Sequence, residues 1–295
     1  MLRGQSTRLA APGAPLAVAA GMRRLLAMIR RLLTGRRLAP GKVAVLRLYG
    51  PITGGQRSAE WLESVRKLRT SKRVPAVVLD IDSPGGSAAA ADYLFLALQR
   101  LDAEKPLVAH VRGTGASGAY LAAMAARHLV VAPNSLIGSI GVISAGPRLP
   151  ALLERLGISV EEHTAGRLKG SGAPWRESND EERVKEQAIV DAYYDAFVAR
   201  VAAGRRLADG RLRELATGEV WLGWRAVELG LADEVGDLER AVEVAAQIAG
   251  VEPEVATVEI RRPLLGRLLE RAVTRAARRL ADAIEAELWE RGPRA

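Results

Sequence analysis

The sequence contains no cysteine and only three histidines. The absence of cysteine excludes disulfide bonds, a thiolate nucleophile and zinc sites built from cysteine. The three histidines, His110, His128 and His163, are too far apart along the chain to form a short-range metal-binding motif. We therefore expect a protein that works without a metal ion or other cofactor.

Lysine is also scarce: the 43 basic residues comprise 37 arginines and six lysines. Arginine does not release its proton at usable pH, whereas a desolvated lysine can, so the few lysines are the candidates for proton transfer. The net charge of +9 is unevenly distributed, because residues 1–59 hold eleven basic residues and no acidic one. The rest of the chain is close to neutral, which argues against a nucleic-acid partner.

The N-terminal region lacks an apolar run long enough to cross a bilayer. Its longest uncharged stretch, Leu9 to Met22, is interrupted by proline and glycine. Leucines alternate with arginines from Met22 to Leu38, which predicts a short basic amphipathic helix. We predict that residues 1–40 form an arm that binds an anionic membrane surface on the cytoplasmic face of a bacterium. The alternative is a solvated arm that packs on its own domain.

From Val43 onward, short apolar runs alternate with helical patterns. Four runs have the continuous apolar character of buried parallel strands: Val43–Leu48, Ala76–Ile81, Leu107–Val111 and Leu129–Ala132. Three segments with helical spacing lie between or beside them: Ser58–Thr70, Ala88–Leu101 and Ser117–Arg127. Strands that alternate with helices predict an α/β domain built from right-handed βαβ units.

A long helix is predicted after Ser178–Glu181, a segment that has the form of a capping box, and it should end near Gly204. Its apolar residues at helical spacing are expected on the buried side: Val184, Ala188, Val190, Tyr194, Phe197 and Val201. Shorter helices follow as far as Gly250. We therefore assign residues 41–250 to one folded domain.

Residues 251–295 are predicted to form a basic C-terminal tail. The tail begins with a possible strand at Val255–Ile260 and continues with a basic amphipathic pattern over Leu264–Glu290. This pattern repeats the design of the N-terminal arm. An ordinary helix that docks on the domain is the alternative interpretation.

The glycine-rich segment Gly113-Thr-Gly115-Ala-Ser-Gly118 matches the dinucleotide-binding pattern and lies between a predicted strand and a predicted helix. A dinucleotide site also requires an acidic residue about twenty residues later to bind the ribose. No aspartate or glutamate occurs between Lys105 and Leu153. The sequence therefore argues against nicotinamide binding.

The same segment has a second interpretation, in which Ser117 is a nucleophile. Its hydroxyl would stand at the N-terminus of a helix, beside the free N–H groups of the first helical residues. A second turn, Ser83-Pro-Gly85-Gly-Ser87, ends the preceding strand at the same edge of the sheet. The N–H groups of Gly85 and Gly118 could then bind one oxyanion. An ordinary helix cap and an ordinary turn are the alternatives.

A nucleophilic serine needs a base, and the three histidines are poorly placed to provide it. A Ser-Lys dyad is the known variant that uses no histidine. Lys169 stands in a loop of small residues without an acidic residue between Glu162 and Glu177. Burial in that loop would favour the neutral, proton-accepting amine. The other lysines precede strands or belong to charged surface patterns, and Lys185 is in the second group.

Several motifs occur in an order that is typical of one family. They are Asp80-Ile-Asp-Ser-Pro-Gly-Gly86, Ala116-Ser-Gly-Ala-Tyr120, Gly138-Ser-Ile-Gly-Val-Ile143, Ala165-Gly-Arg-Leu-Lys169, and the two later segments 216–223 and 228–236. Over roughly residues 43–250 the sequence resembles the signal peptide peptidase A-like serine peptidases, family S49. It differs from the usual pattern in having a basic arm in place of a spanning N-terminal helix, and in having one peptidase domain where some members have two.

The resemblance implies a Clp protease/crotonase-like α/β fold, in which repeated β-β-α and βαβ units carry added helices. It implies that Ser117 is the acylating nucleophile, Lys169 its general base and Ser139 a hydroxyl that orients the lysine amine. Gly85 and Gly118 would supply the oxyanion N–H groups. The implied activity is hydrolysis of hydrophobic peptides, such as signal-peptide remnants, by a ring-like homo-oligomer in which Ser117 and Lys169 can come from different protomers.

Two alternative functions remain open at this point. A crotonase-type acyl-CoA enzyme would share the paired oxyanion N–H groups but would use carboxylates as acid and base. The acid-free stretch between Lys105 and Leu153 argues against it. A catalytically inactive, membrane-associated scaffold of the same fold is the other alternative. The joint presence of Ser117, Ser139 and Lys169 argues against that one.

Overall fold

A computed structural model describes residues 42–257 of the chain. Its strands are β1 (Val43–Tyr49), β2 (Val77–Ser83), β3 (Leu107–Ala116), β4 (His128–Val131), β5 (Leu136–Gly138), β6 (Val220–Leu222), β7 (Glu234–Val235) and β8 (Val255–Thr257). Its helices are α1 (Gln56–Thr70), α2 (Ala88–Glu104), α3 (Gly118–Ala123), α4 (Pro150–Arg155), α5 (Asp180–Arg205), α6 (Asp209–Leu215), α7 (Gly223–Glu228) and α8 (Leu238–Ala249).

The strands form one sheet in the order β6-β5-β3-β2-β1-β8, in which only the β5-β6 pairing is antiparallel among the described strands. The sheet divides at β3. The first half of β3 pairs with β4, which in turn pairs with β7, and its last three residues, 114–116, pair with β5. This division brings the end of β3 close to β5 and β6.

Both faces of the sheet are covered, which explains the apolar runs of the central strands. Successive side chains of a strand point to opposite faces, so Leu79 and Ile81 of β2 join one core while Val78 joins the other. The larger core packs against most of the helices, including α1, α2 and α3. The smaller core packs against α8, through Val242 and its buried neighbours. The observed architecture confirms the predicted α/β class.

The four predicted strands are confirmed as β1 to β4, but β3 is longer than its apolar run. It continues through Gly113 to Ala116 because this segment pairs with β5. The glycines that resembled a dinucleotide-binding turn are therefore largely part of a strand. The next helix, predicted as far as Arg127, ends at Ala123, and His128 begins β4 instead of following a helix directly.

The long helix is confirmed as α5, but its cap lies one residue later than predicted. Asn179 Oδ1 accepts a hydrogen bond from the Glu182 N–H at 2.9 Å, and Glu182 Oε2 accepts one from the Asn179 N–H at 3.0 Å. The expected continuous buried side is wrong for the first half of the helix, where Val184 is 70% exposed. Only the second half, which includes Phe197 and Val201, packs into the core beside α2 and α3.

The predicted strand at Val255–Ile260 is confirmed in part, because Val255–Thr257 pairs with β1 as β8. The rest of that strand, the predicted arm at residues 1–40 and the predicted helix at Leu264–Glu290 lie outside the described residues. Within residues 42–257, no helix combines the length and the apolar character needed to cross a bilayer.

Candidate active site

Ser117 lies at the junction where β3 ends and α3 begins. Its backbone has φ 53° and ψ −126°, an uncommon conformation for a residue with a side chain, and its hydroxyl makes no capping hydrogen bond to the helix. The Ser117 N–H donates to the Gly138 carbonyl at 2.8 Å, which helps to hold the residue in place. A strained serine at a sharp strand-to-helix turn presents its hydroxyl outward, as a nucleophile requires.

The turn after β2 packs directly against Ser117. Gly85 has φ +88°, and a Cβ on it would lie 2.6 Å from the Gly118 nitrogen and 2.9 Å from the Ser117 Cβ. Gly86 has φ +149°, and a Cβ there would lie 2.1 Å from the Ile52 carbonyl oxygen. Only glycine fits these two positions without movement of the backbone. The two glycine-rich turns therefore meet, as the sequence predicted.

The two predicted oxyanion donors, Gly118 and Gly85, differ in whether their N–H groups are free to bind a ligand. The Gly118 N–H is the first of α3 and therefore has no acceptor within the helix. The Gly85 N–H, which the sequence suggested as the second donor, donates instead to Ser83 Oγ at 3.2 Å. Gly86 lines the same cleft as Gly118 and, among the described residues, its N–H has no hydrogen-bond acceptor. Gly86 is thus better placed than Gly85 to donate to a ligand.

Ser139, the third predicted catalytic residue, follows β5 and also has a positive φ of 51°. Its N–H donates to the Glu219 carbonyl at 2.6 Å, so β6 holds it in position. Ser117, Ser139 and Gly118 all line one cleft of about 1030 Å³. The structure therefore brings together three of the predicted site residues, with Gly85 in contact behind them.

One wall of this cleft is helix α5. Its cleft-lining residues recur every three or four positions: Lys185, Ala188, Ile189, Ala192, Tyr193, Ala196, Phe197 and Arg200. Leu121 and the segment after Ser139, in which Ile143 is 90% exposed, also line the cleft. The cleft is therefore mainly apolar, with small residues beside Ser117.

Lys169, the predicted base, does not line this cleft in the single chain. It lies exposed on the segment between α4 and α5, where its N–H donates to the Gly166 carbonyl in a turn. Arg176 anchors this segment to the start of α5 by binding Glu182, which is 1% exposed. The hydrogen bond from Arg176 lowers the pKa of Glu182 to about 2. The segment thus holds Lys169 exposed to solvent and outside the cleft that contains Ser117.

Lys185 is the lysine that does line the cleft, although the sequence placed it in a charged surface pattern. The helical spacing of Lys185 with Ile189, Ala192 and Ala196 was the signal that could have revealed this. Lys105 has a structural role, because its Nζ donates to the carbonyls of Leu68, Ser71 and Val74 at 2.8–3.0 Å.

His110 belongs to a buried polar network below the two turns. The Asp80 carboxylate, which is 0% exposed, accepts hydrogen bonds from Tyr49 Oη at 2.5 Å, from His110 Nδ1 at 2.8 Å and from Arg112 Nη2 at 2.9 Å. Burial opposes ionisation of Asp80, but these hydrogen bonds hold its pKa below the ordinary value. Burial and the bond to Asp80 raise the pKa of Tyr49 to about 12. The network ties β1, β2 and β3 together just before the site.

Comparison with known proteins places this arrangement in a family. The family model for peptidase family S49 matches residues 99–252. A Synechocystis protein that is named as a protease is 36% identical over 230 residues, which cover 77% of this chain and 82% of that protein. The chloroplastic serine protease SPPA of Arabidopsis thaliana is 35% identical over 226 residues, 75% of this chain but only 33% of that protein.

Protease 4 of Haemophilus influenzae is 29% identical over 224 residues, and the match again covers about a third of the relative, 36% of its length. Among solved structures, a ClpP1 mutant from Listeria monocytogenes superimposes with a TM-score of 0.48 at 12% identity, over 67% of this chain and 93% of that chain. From the family model and the Synechocystis relative, the chain belongs to peptidase family S49.

Proposed function

We propose that the protein is a serine endopeptidase that acts through Ser117 and Lys169. The observation that carries the proposal is the geometry of Ser117, a strained serine between two free N–H groups in an apolar cleft. Membership of family S49 supports the same conclusion. The names of its relatives, which include a serine protease and protease 4, are consistent with it.

In the proposed reaction, Ser117 Oγ attacks the peptide carbonyl carbon while its proton passes to the neutral Lys169 amine. The N–H groups of Gly118 and Gly86 stabilise the negative charge that develops on the carbonyl oxygen. The C–N bond then breaks, the protonated lysine gives its proton to the leaving amine, and an acyl ester remains on Ser117. Water activated by Lys169 hydrolyses this ester. Ser139 orients the lysine amine.

The position of Lys169 supports a site that is shared between two copies of the chain. Lys169 lies outside the cleft of its own chain, on a segment that exposes apolar residues. The exposed apolar residues of α4 and of the segment that follows it include Leu152, Leu156 and Ile158. A second copy that covers these residues can bring its own Lys169 to Ser117. We therefore propose that the active form is a homo-oligomer.

The proposed substrates are short hydrophobic peptides, such as signal-peptide remnants in membranes. The cleft supports this substrate class because its walls present alanine, isoleucine, tyrosine and phenylalanine side chains. Its small residues beside Ser117 favour an extended peptide over a folded protein. The basic N-terminal segment would hold the enzyme at an anionic membrane surface, where such peptides are released.

The rival acyl-CoA activity is less well supported. Such an enzyme would need free carboxylates in the cleft, and the acidic residue that lines it, Asp92, is paired with Arg200.

A labelling experiment distinguishes the peptidase from a catalytically inactive scaffold. A fluorophosphonate probe should label the intact protein at Ser117 and should not label Ser117→Ala, with far-UV circular dichroism showing that both are folded. Absence of labelling of a folded oligomer would favour the scaffold.

A further inference from the structure

Among the described residues, the cleft contains one cation that is neither part of an ion pair nor used by the proposed chemistry. Lys185 and Arg200 are the two basic residues that line it, and both belong to the same face of α5. Arg200 is neutralised by Asp92 and lies over the Phe95 ring, with 4.8 Å between its guanidinium carbon and the ring centroid. Lys185, in contrast, has no ion-pair partner among residues 42–257.

The acidic neighbours of Lys185 are occupied elsewhere. Glu181, four residues earlier, pairs with Arg167 at 2.8 Å, and Glu182 pairs with Arg176 at 2.6 Å. The Glu186 carboxylate lies toward Gly172, on the segment that carries Lys169. Lys185 therefore leaves a net positive charge in a cleft whose other cation is already compensated.

The length of the cleft indicates how a substrate would lie relative to the charge of Lys185. Lys185 and Arg200 are fifteen residues apart, which corresponds to about 22 Å along a helix. The cleft-lining residues of α5 cover this whole length, so the cleft is long enough to hold an extended peptide that lies along α5.

Ser117 lies toward the Arg200 end of this path. A Cβ on Gly118, the next residue, would lie 2.8 Å from the Ala91 Cβ, and the following residue Asp92 binds Arg200. Ser117 is therefore level with positions 196–200 of α5, about 17–22 Å along the helix from Lys185. An extended peptide covers that distance in about five to seven residues.

We propose that Lys185 selects substrates that carry a carboxylate about five to seven residues from the scissile bond. The carboxylate can be an acidic side chain or the C-terminus of a short peptide, since the chemistry of recognition is the same. The intervening residues would be apolar, as the cleft wall requires. This inference rests on the proposed peptidase function and adds a specificity residue to it.

The test compares matched peptides in which glutamate or glutamine occupies each position three to eight residues from the scissile bond, on either side. A second pair with a free or an amidated C-terminus separates the two sources of the carboxylate. An exposed ion pair in a wet cleft predicts a preference for the acidic peptide of about two- to fivefold in kcat/KM. The preference should peak five to seven residues away and fall as salt is raised.

Variants then connect the preference to Lys185. Lys185→Gln should bring the ratio of acidic to neutral peptide close to one, Lys185→Glu should invert it in favour of a lysine-containing peptide, and Lys185→Arg should keep it. Lys72→Gln, which removes an exposed lysine at the opposite edge of the sheet, should match the wild type. An unchanged ratio in Lys185→Gln would overturn the inference. So would loss of all turnover in Lys185→Arg, because it would make Lys185 a base instead.

Binding measured without turnover separates this inference from the proposed function. Fluorescence anisotropy with Ser117→Ala protein and the same peptides should show the acidic preference, and the double variant with Lys185→Gln should lose it. If the wild type hydrolyses peptides but neither assay shows the preference, the inference fails and the proposed function stands. If binding shows the preference but no peptide is hydrolysed, the proposed function fails and the anion-selective cleft stands.

Discussion

At the scale of single residues, the proposed chemistry requires both a hydroxyl at Ser117 and a titratable amine at Lys169. We predict that Ser117→Ala, Lys169→Ala and Lys169→Arg each reduce kcat for peptide hydrolysis by at least about 10³-fold. The arginine variant keeps the positive charge but cannot accept a proton, so it should be as inactive as the alanine variant. Release of a fluorophore from a small apolar peptide ester measures the effect.

The matched control for Lys169→Arg is Lys72→Arg, which makes the same change on the opposite edge of the sheet. This control should keep full activity, and all variants should have the circular dichroism spectrum of the wild type. Turnover by Lys169→Arg at a tenth of the wild-type rate would remove Lys169 from the role of base.

A second prediction concerns the ion pair that anchors the Lys169 segment. The pKa of Glu182 is lowered to about 2 when folded, so its contribution to stability is present above the ordinary carboxyl range. That contribution is lost as the pH falls from about 4.5 toward 2. We expect Trp175, on the same segment, to report this loss as a change in fluorescence during acid titration.

The control for this titration is Glu182→Gln, because glutamine can still complete the capping box but has no proton to gain. At neutral pH the variant should already show part of the fluorescence change, because its segment is no longer anchored by the ion pair. The further change between pH 5 and 2 should therefore be smaller than in the wild type. If wild type and variant give the same acid transition, the Arg176–Glu182 pair does not anchor the segment.

At the scale of elements, the turn after β2 is predicted to tolerate no side chain at Gly86. In Gly86→Ala, the new Cβ would overlap the Ile52 carbonyl oxygen, at 2.1 Å, and would force the turn away from Ser117. We predict a loss of stability of about 1–3 kcal/mol from overpacking, and a fall in kcat of about 10²-fold as the oxyanion N–H moves. Thermal unfolding and kinetics measure the two effects separately.

Gly54→Ala provides the matched control for this change. Gly54 lies in the loop between β1 and α1. It has no positive φ, and a Cβ there would meet no atom within 4 Å. Its stability and activity should equal those of the wild type or be slightly higher, because alanine restricts the unfolded chain. Wild-type activity in Gly86→Ala would instead place the second oxyanion donor at another residue.

The elements that could be predicted from the sequence are those whose signal is local. The strands β1 to β4 followed from short apolar runs, and the start of α5 followed from its capping residues. The end of β3 could not be predicted, because Gly113 and Gly115 have the composition of a turn and only pairing with β2 and β5 makes this segment a strand. Likewise, the apolar side of α5 was visible, but nothing local indicates that its first half is left uncovered.

The residues of the candidate site also fall into those that could be predicted from the sequence and those that could not. The meeting of the Gly85 turn with Ser117 and Gly118 could be predicted because both turns end neighbouring strands at one edge of a parallel sheet, whereas Ser139 was predicted only from the family resemblance. The Asp80 network could not be predicted, since it depends on residues of three strands that share one face. The signal was faint: Asp80 interrupts an apolar strand, and His110 occupies the paired position on β3. Lys185 was missed because its charged neighbours suggested a solvated face.

At the scale of the whole molecule, the charge distribution predicts how the protein meets a membrane. Residues 1–59 carry eleven basic residues and no acidic one. Eight of these lie within residues 1–38, and each contributes about 1 kcal/mol near an anionic surface, so removal of residues 1–38 should release the protein from anionic liposomes at moderate salt. Neutral liposomes are the control and should bind neither form. Equal sedimentation of the full and shortened proteins with anionic liposomes would assign binding to another part of the chain.

The last prediction concerns assembly, and it follows from the separation of Lys169 from the cleft that holds Ser117. If Lys169 of one copy serves Ser117 of another, an isolated monomer is inactive even when it is folded. Each of the two inactive variants then lacks what the other supplies. Mixing Ser117→Ala with Lys169→Ala under conditions that permit subunit exchange should therefore create some sites with both groups intact.

If the site is shared within a dimer, a one-to-one mixture of the two variants regains at most about a quarter of the wild-type activity. About half of the dimers are mixed, and in each mixed dimer only one of the two sites combines an intact Ser117 with an intact Lys169. The assay is hydrolysis of a small apolar peptide ester, with exchange followed by energy transfer between labelled subunits. Mixing either variant with the double variant is the control and should restore nothing, because no complete pair can form. Exchange without recovery of activity would place Ser117 and Lys169 in one chain, and the Lys169 segment would then have to fold back over its own cleft.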